Sequence, residues 1–239
     1  HRTVGEGLAI NAGDLALVQV FEVVLSDGRL DPARRLRVLE ELARMERHTL
    51  EGQALDLGWV REGRWDVTSD DYLYMVTSKT AWYSAAMPLY LGALAAGGTE
   101  EAARGLLDLG LDAGVAFQLQ DDLLNLVGDA EAQGKDFRSD ITEGKRTLAV
   151  VWALEHLGEK DRSELVGLLA SSTADPAELA RAVELIEAGG GIERCRALGR
   201  ELAERAKGRA RGLAEDELVT AEARDLLVSM ADFFVERAA

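Results

Sequence analysis

Three prolines, one cysteine, three histidines and 5% aromatic residues are all that 239 residues hold of those types. So little proline leaves few enforced helix breaks, and abundant Ala, Leu, Glu and Arg favour helix throughout. No stretch keeps up a strand-type alternation, so the expected fold class is all-α. The lone Cys195 excludes an internal disulfide framework and a cysteine metal site, and it fits a reducing interior such as the cytoplasm. Basic residues are also short: 27 Lys and Arg stand against 43 Asp and Glu, a formal net charge of −16. That balance argues against nucleic acid and anionic membranes as partners, since both need a positive footprint. No unbroken run of about 18 apolar residues is present and the first residues do not read as a signal peptide, so stable membrane insertion is not expected. At 47% hydrophobic content the chain can bury a core. No linker or low-complexity segment divides it, so 1–239 reads as a single domain.

The most informative stretch is 113–147, AGVAFQLQDDLLNLVGDAEAQGKDFRSDITEGKRT. On a helix, Gln118, Asp121, Asp122 and Asn125 recur at spacings of three and four and share one face, while Val115, Leu119, Leu123 and Leu126 take another. The surroundings are Ala, Gly, Phe and Leu, the composition of a helix buried nearly all round. Adjacent buried carboxylates without a counter-charge shift their pKa values and neutralise, unless a cation relieves them. Oxygen donors favour a hard ion such as Mg²⁺, which takes one or two carboxylates and leaves its other positions to water and phosphate. Lys135 and Lys145 downstream are useless to a metal and useful to a phosphate. The plainer alternative is that Asp121, Asp122 and Asn125 form the solvated stripe of an amphipathic helix.

Elsewhere, Asp31 and Pro32 read as cap and first residue of a helix running to about Trp59. Residues 62–71 read as a loop, and Asp70 and Asp71 as caps of the next helix, 70–96, which Pro88 should kink. Lys79 and Thr80 lie in it amid Met, Val, Trp, Tyr and Ala, and a lysine on that background needs an anion. Thr99 caps a long helix leading into the acidic motif. Further helices are expected at 147–157 and at about 160–170, 176–188, 191–212 and 219–238, with Asp175 and Pro176 as another cap. Residues 1–26 read as a core helix from about Gly7, with Gly13 for close packing.

FQxxDDxxN, then GK, then DxxEGKxT, closely resembles the second aspartate-rich region of the trans-isoprenyl diphosphate synthases, in the variant most like geranylgeranyl diphosphate synthases. GEGxAIxAGDLAL near the N-terminus, GQxxD at 52–56 and KT at 79–80 extend the resemblance. It implies an isoprenoid-synthase helical bundle around a central cavity, and a Mg²⁺-dependent condensation of an allylic diphosphate with isopentenyl diphosphate. Position by position it implies Asp121 as a direct Mg²⁺ ligand and Asp122 and Asn125 in support of its water shell. Asp56 stands at the metal end of the cavity. Lys79, Thr80, Gln118, Lys135 and Lys145 become diphosphate-binding residues, Phe117 lines the isopentenyl pocket, and Asp140 orients a lysine or a metal-bound water. A homodimer and a C20 product are further implications.

The family's first aspartate-rich motif has no counterpart in 1–239, so the resemblance implies a domain whose N-terminal helices lie upstream of His1. Two other readings compete. A non-catalytic subunit of a heteromeric synthase would not need the intact DDxxN, Lys135 and Lys145 set. A class I terpene cyclase carries an NDxxSxxxE-type motif, which LVGD after Asn125 does not supply. A carboxylate bundle of ferritin type is weaker still, because no Glu-x-x-His occurs.

Overall fold

Thr99 opens the helix that organises the molecule. Its side chain accepts from the Ala102 amide, Glu100 and Glu101 complement the positive end of the dipole, and α5 then runs unbroken over Glu100–Val127. The computed structural model describes residues 2–128 and 137–236. Among them every regular element is a helix: α1 (Arg2–Ser26), α2 (Pro32–Arg61), α3 (Ser69–Val76), a π-helical segment (Thr77–Ala86), α4 (Met87–Ala96), α5, α6 (Ser139–Thr142), α7 (Leu148–His156), α8 (Glu159–Ala170), α9 (Pro176–Ala188), α10 (Gly191–Glu215) and α11 (Ala221–Glu236).

The caps read at Asp31 and Asp175 are where expected, whereas Asp70 and Asp71, read as caps of the following helix, lie inside its first turn. Asp31 accepts from the Arg34 amide, and Asp175 accepts from the amides of Ala177 and Glu178. Before α3 the cap is Thr68, in a reciprocal box with Asp71, and Ser69 is also held from α7 by both carboxylate oxygens of Glu155.

α5 is the central rod, packed on α10, the π-helical segment, α4 and α11. Leu109, Ala113, Ala116 and Leu119 are fully buried along it. Asp112, also buried, is matched from α10 by Arg205 at 2.5 and 2.9 Å and by Arg209 at 2.8 Å. An acid in that position is tolerable because the arginines satisfy both its oxygens.

The helix expected over 70–96 is continuous, but it widens instead of only bending. Over Thr77–Ala86 it adopts π geometry, and the Met87 amide bonds to the Trp82 carbonyl, five residues back. Two local causes are visible. Pro88 lacks the amide that would bond to Ser84, and the Ser84 hydroxyl takes the Thr80 carbonyl at 2.7 Å. Insertions of this kind recur at functional sites, and here the widened turn carries Lys79 and Thr80.

The reading of α1 as a core helix needs correction. It begins at Arg2 and is exposed along nearly its whole length: Val4, Leu8, Ile10, Val18 and Val23 are each more than half exposed. A Cβ on Gly13 would meet nothing within 4 Å. Its sequence is apolar all round, which is the pattern of a buried helix, but among the described residues it packs chiefly on α2. Thr3–Ser26, whose most apolar 18-residue stretch has mean hydropathy 1.7, is long and apolar enough to cross a membrane by length and composition, although Glu6, Asp14 and Glu22 stand within it. The lack of an unbroken apolar run did not anticipate that.

Candidate functional site

The carboxylate face of α5 forms one wall of a cleft of about 220 Å³. Gln118, Asp121, Asp122 and Asn125 all line it, as their spacing requires. Lys79 and Thr80 enter from the π-helical segment, Asp56 from α2, and Ser139, Asp140, Lys145 and Thr147 from the chain between α5 and α7.

Lys79 is brought in by close backbone approach. A Cβ on Gly52 of α2 would stand 2.4 Å from the Lys79 amide nitrogen, so only glycine lets α2 pack this near. One turn later Asp56 Oδ2 accepts from Lys79 Nζ at 2.5 Å. The GQxxD and KT signatures are therefore two halves of one contact: the glycine sets the approach and the acid holds the amine.

Asp122 is held at both oxygens, accepting from Gln118 Nε2 and from the Tyr72 hydroxyl, each at 2.7 Å. Burial, and then the nearby Asp140, nonetheless push its carboxyl up from 3.8 to about 7, and Asp121 adds to the shift. Burial and the same carboxylate raise the Tyr72 phenol, which stays protonated and remains a donor. Asp121 is exposed at the mouth.

Asn125 ties down the following chain. Its amide nitrogen donates to Ser139 Oγ at 3.0 Å, its amide oxygen accepts from the Asp140 amide at 3.2 Å, and its carbonyl accepts from the Arg138 amide at 2.8 Å. Lys145 is then held by Asp140 at 2.6 Å and Glu143 at 3.1 Å. Burial alone would lower the Lys145 ammonium, but these two carboxylates outweigh it and raise its pKa. Burial likewise raises Asp140, against the pull of Lys145.

Two expected site residues need separate comment. Phe117 is not among the residues lining the cleft; it meets Phe234 of α11 edge-on, with centroids 5.1 Å apart. One residue before Gln118, it is turned about 100° away around the helix. Lys135 lies outside the described residues. Conversely, Tyr72, Ser139 and Arg146 belong to the cleft and were not marked by the motif, and Thr147, the last letter of DxxEGKxT, was given no role. Of the first three only Tyr72 left a signal, standing seven residues, two helical turns, before Lys79.

Among the described lining residues, Asp56, Asp121, Asp122 and Asp140 face Lys79, Lys145 and Arg146, so carboxylates outnumber cations. Such a cleft does not attract a diphosphate unaided. Among the described residues no three His, Cys, Asp or Glu side chains form a ready metal cage. Mg²⁺ needs only one or two carboxylates, with water and phosphate completing its shell, and the exposed Asp121 beside the destabilised Asp122 carboxylate fits that demand.

Residues 1–186 match the family Polyprenyl synthetase. The chain is 38% identical over 239 residues to a short chain isoprenyl diphosphate synthase of Methanothermobacter thermautotrophicus, covering 99% of this chain and 69% of that one. To a geranylfarnesyl diphosphate synthase of Natronomonas pharaonis it is 39% identical, covering 99% and 65%. The crystal structure of a Corynebacterium glutamicum geranylgeranyl pyrophosphate synthase complexed with isoprenyl diphosphate and magnesium superposes with a TM-score of 0.85 at 30% identity, over 97% of this chain and 63% of that one. The chain thus spans about two thirds of the length of these relatives.

Proposed function

Because this chain belongs to the polyprenyl synthetase family of prenyltransferases, we propose that residues 1–239 form one synthase domain that joins an allylic diphosphate to isopentenyl diphosphate, head to tail. The observation that carries the reading is the convergence of Lys79 and Lys145, from two separate elements, on the acidic face of α5.

In the reaction the allylic carbon–oxygen bond ionises, the isopentenyl double bond attacks the cation, and a proton leaves. Lys79 and Lys145 pair with diphosphate oxygens, while Thr80 and Gln118 add hydrogen bonds and Lys135 joins from its own segment. Asp56 and Asp140 hold the two lysines aimed before substrate arrives. Asp121, with Asp122, Asn125 and Asp56 supporting its surroundings, would hold Mg²⁺, which would supply Lewis-acid neutralisation of the departing diphosphate. Met75 and Val76 give the cleft an apolar side that keeps water from the carbocation. The reading includes a C20 product, a homodimer and a cytoplasmic location.

The test uses the whole protein with Mg²⁺, isopentenyl diphosphate and either dimethylallyl or farnesyl diphosphate, and mass analysis of the extracted lipid. A prenyl diphosphate product is expected, its mass giving the chain length, and Asp121→Ala or Lys145→Ala should lower its rate by roughly 100-fold or more. No product with any allylic substrate sinks the reading.

A further inference from the structure

Arg146 follows Lys145 directly and is 3% exposed, although a guanidinium is always charged. Its Cζ lies 3.6 Å from the centroid of the Trp65 ring. Nε donates to the Arg64 carbonyl at 2.7 Å, and Nη1 donates to the Gly144 carbonyl. Arg146 therefore grips a carbonyl in the loop between α2 and α3 and another in the residue just before Lys145. Arg162 of α8 braces the same loop, donating to the Trp65 carbonyl at 3.2 Å. Gly144 is confined on its other side: its φ is +64°, and a Cβ there would stand 2.8 Å from the Leu169 carbonyl oxygen.

The other partners of Lys145 lie close to it in sequence. Asp140 and Glu143 belong to its own short segment, which Asn125 of α5 holds at the Asp140 end. The bond from Arg146 to Arg64, 82 residues apart in sequence, refers that segment to a distant part of the fold. Burying a guanidinium is costly, and Nη2 of Arg146 is buried with no hydrogen-bond partner among the described residues, so stability alone does not account for its place.

We infer that Arg146 is a positioning residue: by clamping Gly144 to the Arg64–Trp65 loop it fixes the backbone from which Lys145 reaches a diphosphate in the cleft. The inference rests on the proposed function, since it needs Lys145 to bind diphosphate. A misplacement of about 1 Å is enough to weaken such a contact severely.

The test is a double-mutant cycle in the whole protein, with inorganic diphosphate and Mg²⁺ as the probe in calorimetric titration. Arg146→Gln should weaken binding roughly tenfold. Lys145→Ala should weaken it as well, and the double variant should match Lys145→Ala alone within about twofold, as expected for residues acting in series. Arg146→Lys, which keeps the charge but not the fork, should recover only part of the loss. Arg146→Gln binding like the parent, or losses that multiply in the double variant, would overturn the inference. Should Arg146→Gln fail to fold, Trp65→Phe decides: it should weaken binding about threefold with Lys145 present and not at all in Lys145→Ala, and parental binding in the first background overturns the clamp. If Lys145→Ala itself binds like the parent, the proposed function fails; if it weakens binding while Arg146→Gln does not, only the clamp fails.

Discussion

The Tyr72 hydroxyl donates to Asp122 Oδ2 at 2.7 Å, joining the first turn of α3 to the acidic face of α5 across 50 residues of sequence. Tyr72 is 2% exposed and its pKa is raised, first by burial and then by Asp122, so the phenol is a fixed donor over the whole working range. Tyr72→Phe removes that donor, fills nearly the same volume and leaves Asp122 with Gln118 alone. The variant should fold, lose about 1–2 kcal/mol in denaturant titration, and lose roughly tenfold or more in apparent Mg²⁺ affinity. Unchanged Mg²⁺ dependence in steady-state assays would show that Asp122 does not need this bond.

Asp122 should make the metal-free protein sensitive to pH. Its carboxyl rises from 3.8 to about 7 in the folded chain, through burial first and then Asp140, so the folded state prefers it protonated. Ionising it costs stability: the cost is absent below about pH 4, grows as pH rises toward 7 and is complete above that. Asp122→Asn removes the titration while keeping an oxygen acceptor and similar bulk. Its Tm relative to the parent, with chelator present, should therefore improve steadily between about pH 4 and 7 and level off beyond. A difference that stays flat across that range would contradict the assignment.

Gly52 offers a test of the packing that delivers Lys79. A Cβ there meets Lys79 N at 2.4 Å and Cα at 2.8 Å, so Gly52→Ala must push the π-helical segment away from α2. Loss of about 1–3 kcal/mol is expected from overpacking, together with a fall of roughly 100-fold in kcat/KM as Lys79 moves off its position by Asp56. Alanine at Gly58, where nothing lies within 4 Å, is the control and should leave both quantities near the parent's.

Much of this site was legible because its information is local. Helical periodicity alone puts Gln118, Asp121, Asp122 and Asn125 on one face, and all four line the cleft. Thr99, Asp31 and Asp175 act as caps because a short polar side chain reaches amides two or three residues on, a relation contained in a few adjacent letters. An apolar neighbourhood around Lys79 demanded an anion, and Asp56 supplies one.

What the letters could not decide was set by contacts between distant segments. Asn125 is legible as part of an acidic motif, but that its amide also holds Ser139 and Asp140 in place depends on where the chain returns after residue 136. Phe117 shares the α5 motif but meets Phe234, because rotation around a helix separates even adjacent residues. The same limit applies to α1: an apolar sequence states that a helix wants a covering surface, not whether one lies beside it. Local order followed from the sequence by itself, through spacing, caps and side-chain chemistry. The pairing of Tyr72 with Asp122 and of Arg146 with Trp65, and the widened turn that seats Lys79 against Gly52, were decided only when the chain packed, because each depends on the shape of a partner far away in sequence.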